Sequence, residues 1–345
     1  MPDQPRAAEA GTSAPLLSIC IPAYNRPDHL RALLQSIDRQ SFPLPYEVRV
    51  RDDSHPEKAE AIFHEVARGR ANWHYRHNEV NLGGKTNIRR CCEGATGRYV
   101  YSPSDDDVLT PDSFKLFDRL IRAAIPVNAA AIFAYDGLGP AMNGVVLKHG
   151  FEWLRHVSIN VPAMISTVIW EREYWEAYDY FGYPREMSLP QLDCFIEACA
   201  TRKVVASNRA VFLRGDAEPT NTKAFWFYAR NPLLDAFEYP TLYKKVLSSP
   251  RVDGRTRLWI YARRLAMLRW TVRKALFIRH NQQYYHARTN DFRAAHAGTL
   301  YWPFLWLFLK VVFDTRLGRW LSAFYSDRLL HADKLPGQPQ MTHNF

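Results

Sequence analysis

The chain has 345 residues, 47% of them hydrophobic, with 45 Lys+Arg against 35 Asp+Glu and a formal net charge of +10. This composition excludes a disordered chain and a disulfide-stapled miniprotein. The length exceeds the ~250–300 residues at which single cores stop growing, so more than one structural unit is expected.

Cys20, Cys91, Cys92, Cys194 and Cys199 form an odd set with no repeated C-x-x-C spacing, and Met1–Pro15 lacks the basic start and apolar run of a secretory leader. The expectation is a cytoplasmic protein whose cysteines pack as small hydrophobes. Zinc is disfavoured, since the adjacent pair Cys91–Cys92 cannot readily supply two tetrahedral ligands. The positive charge points to an anionic partner: nucleic acid, acidic lipid or a phosphate-bearing substrate.

Residues 1–15 are polar and proline-containing, and read as a disordered tail. From Leu16 the run LLSICIPAYN has the pattern of a strand covered on both faces. In RPDHLRALLQSIDRQ, Leu30, Leu33, Leu34 and Ile37 recur at helical spacing behind Asp28, a candidate cap. YEVRVRDD alternates and ends in two carboxylates, HPEKAEAIFHEVARG reads as a helix, and NWHYRHN as a further strand. GGKTNIRRCCEGATG gives another helix, and RYVYSPSDDDVLTPDSF a strand, an acidic turn and a new helix after Pro111. This alternation predicts a mostly parallel α/β sheet flanked by helices, with the acidic clusters at the carboxyl ends of strands, where open sheets of this kind bind ligands.

Beyond Gly150, NVPAMISTVIW reads as a strand, LPQLDCFIEACATR as a helix with Leu192, Phe195, Ile196 and Cys199 on one side, and VVASNRAVFLRG as the last strand of a unit spanning residues 16–215. Residues 216–250, punctuated by Pro219, Pro232, Pro240 and Pro250, read as a linker. Residues 251–345 form a basic, aromatic-rich helical region, in which Leu258, Tyr261, Ala262, Leu265, Leu268, Val272, Ala275 and Leu276 make an apolar stripe. Arg263, Arg264, Arg269, Arg273 and Lys274 occupy much of the remaining surface. TLYWPFLWLFLKVVF is interrupted by Pro303 and Lys310 and falls short of the ~20 apolar residues of a spanning helix, so it reads as an interfacial or core helix. Three readings of this region stay open: attachment to an anionic membrane surface, which is favoured, a closed helical core or oligomer contact, and nucleic-acid binding.

Asp105, Asp106 and Asp107 repel one another unless a cation or hydrogen-bond donors neutralise them. A hard divalent ion would do so, and so would an acidic helix start. The ordered set SICIPAYNRPDHL, VRVRDDS, NLGGKTN and GRYVYSPSDDDVLTPDS resembles inverting glycosyltransferases of family two with the GT-A fold, over roughly Leu16 to Gly215. The resemblance implies that Pro22, Tyr24, Asp52 and Asp53 hold the nucleoside. It implies that Asn81, Gly83, Gly84, Lys85 and Asn87 lie near the diphosphate, with Thr86–Asn87 where the family usually shows Arg-Asn. Asp106, with Asp107 second, is the implied ligand of Mn²⁺ or Mg²⁺, and Asp105 contacts ribose or the outer coordination of the metal, while Ser104 stands where the commoner motif has its first Asp.

Asp193 is the implied general base, with Leu192 in place of the usual Glu and Glu186 in reserve, and Arg214 is a further candidate for the diphosphate. The implied activity is metal-dependent transfer of a hexosyl or deoxyhexosyl group from a nucleotide sugar to a saccharide, lipid-linked, in polysaccharide, O-antigen or capsule biosynthesis. It would take place at the inner face of the cell membrane, with the chain bound peripherally, oligomerisation possible and no nucleic-acid partner. The alternatives are a non-catalytic nucleotide-sugar- or glycan-binding protein of the same fold and a basic nucleic-acid-binding protein.

Overall fold

The computed structural model describes residues 14–182, 189–214, 233–281 and 289–332. The described residues group into two compact units, one formed by 14–182 with 189–214 and the other by 233 onward.

The first unit begins with β1 (Leu17–Ala23), α1 (Pro27–Asp38), β2 (Tyr46–Asp52), α2 (Glu60–Ala67), β3 (Trp73–His77), α3 (Gly84–Cys91) and β4 (Tyr99–Tyr101). It continues with β5 (Asp107–Leu109), α4 (Ser113–Ala124), β6 (Ala129–Ala134), β7 (Val145–Val146) and β8 (Val168–Glu171), then α5 (Arg172–Ala177), α6 (Pro190–Thr201), β9 (Lys203–Ser207) and β10 (Phe212–Arg214). Eight strands form one sheet in the order β3-β2-β1-β4-β8-β6-β9-β7, and β10 pairs with β5 in a separate two-stranded ribbon. β3, β2, β1 and β4 run parallel, so their carboxyl ends share one edge.

β1 is buried along nearly its whole length because α1 covers it with Leu30, Leu33, Leu34 and Ile37, the residues the helical spacing marks. α1 starts with Pro27 in its first turn, where the missing N–H costs nothing. Asp28 lies inside that first turn and no side chain caps the helix, so the expected Asp28 cap is not formed. All five cysteines are free thiols and buried.

Three strand expectations change in detail. NVPAMISTVIW forms two short 3₁₀ turns before β8, because Pro162 interrupts any ladder there. VVASNRAVFLRG divides into β9 and β10, which belong to different sheets. β6, AAAIFA, is an interior strand with all six residues buried, and its alanines carry little of the β-branched signal by which strands are read.

The second unit is helical. A π-helical turn at Leu234–Glu238 precedes α7 (Tyr239–Ser248), α8 (Gly254–His280), α9 (Thr289–His296), α10 (Trp302–Asp314) and α11 (Arg316–Ala332). Its core gathers Ala275, Leu276 and Ile278 of α8, Phe292 of α9 and Leu305, Leu309, Val312 and Phe313 of α10. The stripe expected on α8 therefore divides: Ala275 and Leu276 are core, while Leu258, Tyr261, Ala262 and Leu265 are exposed. Arg264, expected on the charged face, is buried and donates from Nη2 to the Ala295 carbonyl at 2.9 Å. Among the described residues no helix is long and apolar enough to cross a membrane.

Candidate active site

The parallel ladder brings the ends of β1, β2 and β4 together. Asp53 donates its N–H to the Ala23 carbonyl at 2.9 Å, and Tyr24 donates its N–H to Asp105 Oδ2 at 3.0 Å. The consecutive residues Ala23 and Tyr24 are thus tied to Asp53 on one side and to Asp105 on the other. The next residue, Asn25, adopts a left-handed φ of 54° and donates its N–H to Ser54 Oγ at 2.7 Å. Such a turn points the following side chain, Arg26, back toward the sheet edge.

Arg26 completes the acidic turn. Its Nη1 donates to Asp105 Oδ1 at 3.1 Å and to Asp106 Oδ2 at 2.7 Å. The other Asp106 oxygen accepts from Ser104 Oγ, the residue at the position of the family's usual first Asp. Asp107 is turned the other way: it lies in β5, pairs with Arg214 of β10 in the ladder, and its Oδ2 accepts from Ser166 Oγ. Burial pushes the Asp105 carboxyl up to about 7, against the pull of Arg26 and the Tyr24 N–H, with the neighbouring Asp106 adding to the rise.

Two carboxylates from one turn converge on a single cationic nitrogen, an oxygen-only donor set suited to a hard divalent ion. No group of three or more His, Cys, Asp or Glu side chains converges among the described residues. An ion held here by Asp105 and Asp106 would complete its shell with phosphate oxygens and water, as Mg²⁺ commonly does.

Asp53 holds a neighbouring loop in place. It is buried, its Oδ1 accepts from Asn78 Nδ2 and from the Leu82 N–H, both at 2.8 Å, and its Oδ2 accepts from the Gly83 N–H at 2.9 Å. It holds the loop 81–83 whose Asn81 Oδ1 also accepts from Gly83 N–H. Gly83 has a φ of 76°, which favours glycine, and leads directly into α3, with Lys85 in the first turn. Asn87 is buried on the inner face of α3, where its Nδ2 donates to the Arg51 carbonyl at 3.1 Å and its Oδ1 accepts from Asn78 at 3.0 Å. It braces the strand ends. Asp52 likewise turns inward, its Oδ1 accepting from Ser54 N and Oγ at 3.0 and 2.6 Å, and its Oδ2 from Tyr75 Oη at 3.2 Å. Tyr24 is exposed at the rim and Pro22 half-buried beneath it.

Asp193 lies in the first turn of α6, half-buried, with Oδ2 accepting from Tyr178 Oη at 2.7 Å. Gln191, two residues earlier, lines the same small internal cavity as Ser102, which places the start of α6 against the segment leading to the acidic turn. Glu186 lies outside the described residues, as does the Arg214 side chain.

Arg26 is a residue that sequence reasoning passed over. The signal for Arg26 is its place two residues after Tyr24 in a turn ending a parallel strand, beside a cluster of unneutralised aspartates.

Residues 18–137, which contain every group described above except Ser166, Tyr178, Gln191, Asp193 and Arg214, match the model of glycosyl transferase family 2. Over that segment the chain is similar to this family. It is a glycosyltransferase, and its fold is of the GT-A type expected from the motif order. It is 27% identical over 282 residues to abequosyltransferase RfbV of Salmonella typhimurium, covering 71% of this chain and 82% of that protein. Among solved structures it resembles S. aureus TarS residues 1–349 in complex with UDP, with a TM-score of 0.59 at 18% identity, over 90% of this chain and 91% of the other. It also resembles the mannosyltransferase PcManGT from Pyrobaculum calidifontis, solved with GDP-Man and Mn²⁺, with a TM-score of 0.52 at 14% identity, over 93% and 87% of the two chains.

Proposed function

We propose that this glycosyltransferase moves a sugar from a nucleoside-diphosphate donor to a hydroxyl of a saccharide acceptor with inversion at the anomeric carbon, in the assembly of a surface polysaccharide. The observation that carries the reading is the meeting of Asp105 and Asp106 at one cationic point, next to the loop 81–83 held by Asp53. Similarity to an abequosyltransferase, and to structures solved with UDP and with GDP-Man and Mn²⁺, supports a nucleotide-sugar donor.

The donor's diphosphate would lie between the acidic turn and the start of α3, where a side chain added at Gly83 or Gly84 would meet no neighbour and the first helical N–H groups lack intrahelical acceptors. A divalent ion, Mn²⁺ or Mg²⁺, would be held by Asp105 and Asp106 and would supply Lewis-acid stabilisation of the departing nucleoside diphosphate. The nucleoside would pack against the exposed Tyr24 ring above Pro22. Asp53 acts at one remove, by fixing the loop.

Inversion requires a base on the face opposite the leaving group. Asp193 is that base in this reading, taking the acceptor hydroxyl's proton while Tyr178 fixes its rotamer through the 2.7 Å bond. The acceptor is placed on a lipid carrier at the inner face of the cell membrane, where a growing polysaccharide is commonly held.

The test is calorimetric titration of UDP, GDP, CDP and dTDP, with and without Mn²⁺, into the full chain and into Asp106→Ala, followed by turnover with the sugar donor of the nucleotide that binds. Metal-dependent binding of one base, lost in Asp106→Ala, and an inverted anomeric proton signal in the product support the proposal. Absence of binding by all four nucleotides would overturn it.

A further inference from the structure

Two helices of the second unit repeat one surface pattern. On α8, Leu258 is 71% and Leu265 62% exposed, with Ala262 between them also exposed. At about 100° per residue these three fall within a sector of about 60°. Arg269 falls within that sector one turn beyond Leu265, Arg255 and Arg273 border it on one side, and Trp270 and Arg263 follow, all exposed. On α11, Leu317, Trp320 and Phe324 occupy a similar sector of about 60°, with the exposed Arg316 beside it and the exposed Arg319 further round. Trp320 is 61% exposed and stacks on Phe324.

These stripes are not the core of the unit, which is built from other residues of the same helices and of α9 and α10. The tryptophans sit where the two kinds of surface meet: Arg269 and Arg273 lie 5.4 and 5.3 Å from the Trp270 ring centre, and Arg263 lies 4.6 Å from that of Trp259. An apolar sector edged by cations, with aromatic rings along the border, is the arrangement a helix needs to lie flat in a lipid headgroup region.

We infer that the outward faces of α8 and α11 dock this protein on the surface of an anionic lipid bilayer. Charge complementarity decides the occupant. α8 carries Arg255, Arg257, Arg263, Arg264, Arg269, Arg273, Lys274 and Arg279 and no carboxylate, so two copies meeting through this face would bring like charges together. A nucleic acid would find the leucine sector facing its phosphates. An anionic bilayer accepts both halves of the surface at once. No helix among the described residues spans, so the contact lies within the interface plane. The inference gives the lipid-linked acceptor reading a physical surface, and it stands on exposure and charge independently of the transfer chemistry.

The test uses the full chain and vesicles of phosphatidylcholine alone or with one quarter phosphatidylglycerol, read by flotation. Wild type is expected to float with the anionic vesicles only, with binding weakened by salt. The pair Leu258→Glu with Leu265→Glu is expected to lower the affinity at least about tenfold, and Arg269→Gln with Arg273→Gln by about fivefold per arginine. Metal-dependent nucleotide binding by the same variants, unchanged from wild type, shows that they are folded and separates this inference from the donor-site reading. Equal binding to neutral vesicles, no binding to either, a self-associated state that the leucine substitutions disperse, or tighter binding to duplex DNA than to anionic vesicles would each overturn it.

Discussion

Arg26 Nη1 lies 2.7 Å from Asp106 Oδ2, and the same nitrogen lies 3.1 Å from Asp105 Oδ1. The arginine therefore neutralises, from the turn after β1, the repulsion between two adjacent carboxylates at the end of β4. A divalent ion seeking the same oxygens must displace it. Arg26→Gln is expected to bind Mn²⁺ in the absence of nucleotide about tenfold more tightly than wild type, as the loss of one competing cation near two carboxylates implies. Titration followed by the electron paramagnetic resonance signal of free Mn²⁺ measures this directly, and weaker binding in the variant would contradict it.

The buried Asp105 makes the metal-free protein sensitive to pH. Its carboxyl is pushed up to about 7 by burial, whereas an unfolded aspartate releases its proton near about 3.9. Between these values the folded state holds the extra proton, so the contribution to stability is complete below about 3.9 and is lost as pH rises through about 7. Asp105→Asn keeps the neutral form at every pH. It should therefore exceed wild type in urea denaturation at pH 8, by on the order of 2–4 kcal/mol, and match it at pH 4. A variant less stable than wild type at pH 8 would show that the ionised carboxylate is a net stabiliser.

Much of the framework was legible because burial leaves a periodic trace. The run β1-α1-β2-α2-β3-α3-β4 alternates patterns that only a parallel sheet with covering helices satisfies, and α10 shows its apolar density plainly. What stayed hidden depends on tertiary neighbours. Asp52 and Asn87 carry the polar chemistry of ligand contacts, yet the fold points both inward to tie strand ends together. The outward leucines of α8 were grouped with Ala275 and Leu276 because all are apolar; only the packing of Ile260, Thr271 and Ile278 identifies the buried side. Arg26 reads as an ordinary helix-start residue until β1 and β4 are set side by side.

Asp53 gathers three hydrogen bonds from Asn78, Leu82 and Gly83, two of them from backbone N–H groups. Removing the acceptor leaves buried donors unsatisfied and releases the loop that leads into α3. Asp53→Ala is expected to cost about 2–3 kcal/mol of stability and to raise the donor KM by at least about tenfold through loss of positioning. Denaturant unfolding and steady-state kinetics with varied donor provide the two readouts. A loss of stability with an unchanged donor KM would confine Asp53 to the scaffold.

Asp193 and Tyr178 separate a chemical role from an orienting one. If Asp193 takes the acceptor proton, Asp193→Asn lowers kcat by about 10²–10⁴ with little change in nucleotide affinity, because the substitution preserves shape and removes the base. Tyr178 reaches the base through its hydroxyl bond at 2.7 Å. Tyr178→Phe should then reduce kcat by about tenfold, since the lost bond had fixed the orientation of the carboxylate. A Tyr178→Phe variant as inactive as Asp193→Asn would mean that the tyrosine itself meets the substrate. Rescue of Asp193→Asn turnover by added formate or azide would in turn place the missing proton acceptor at this position.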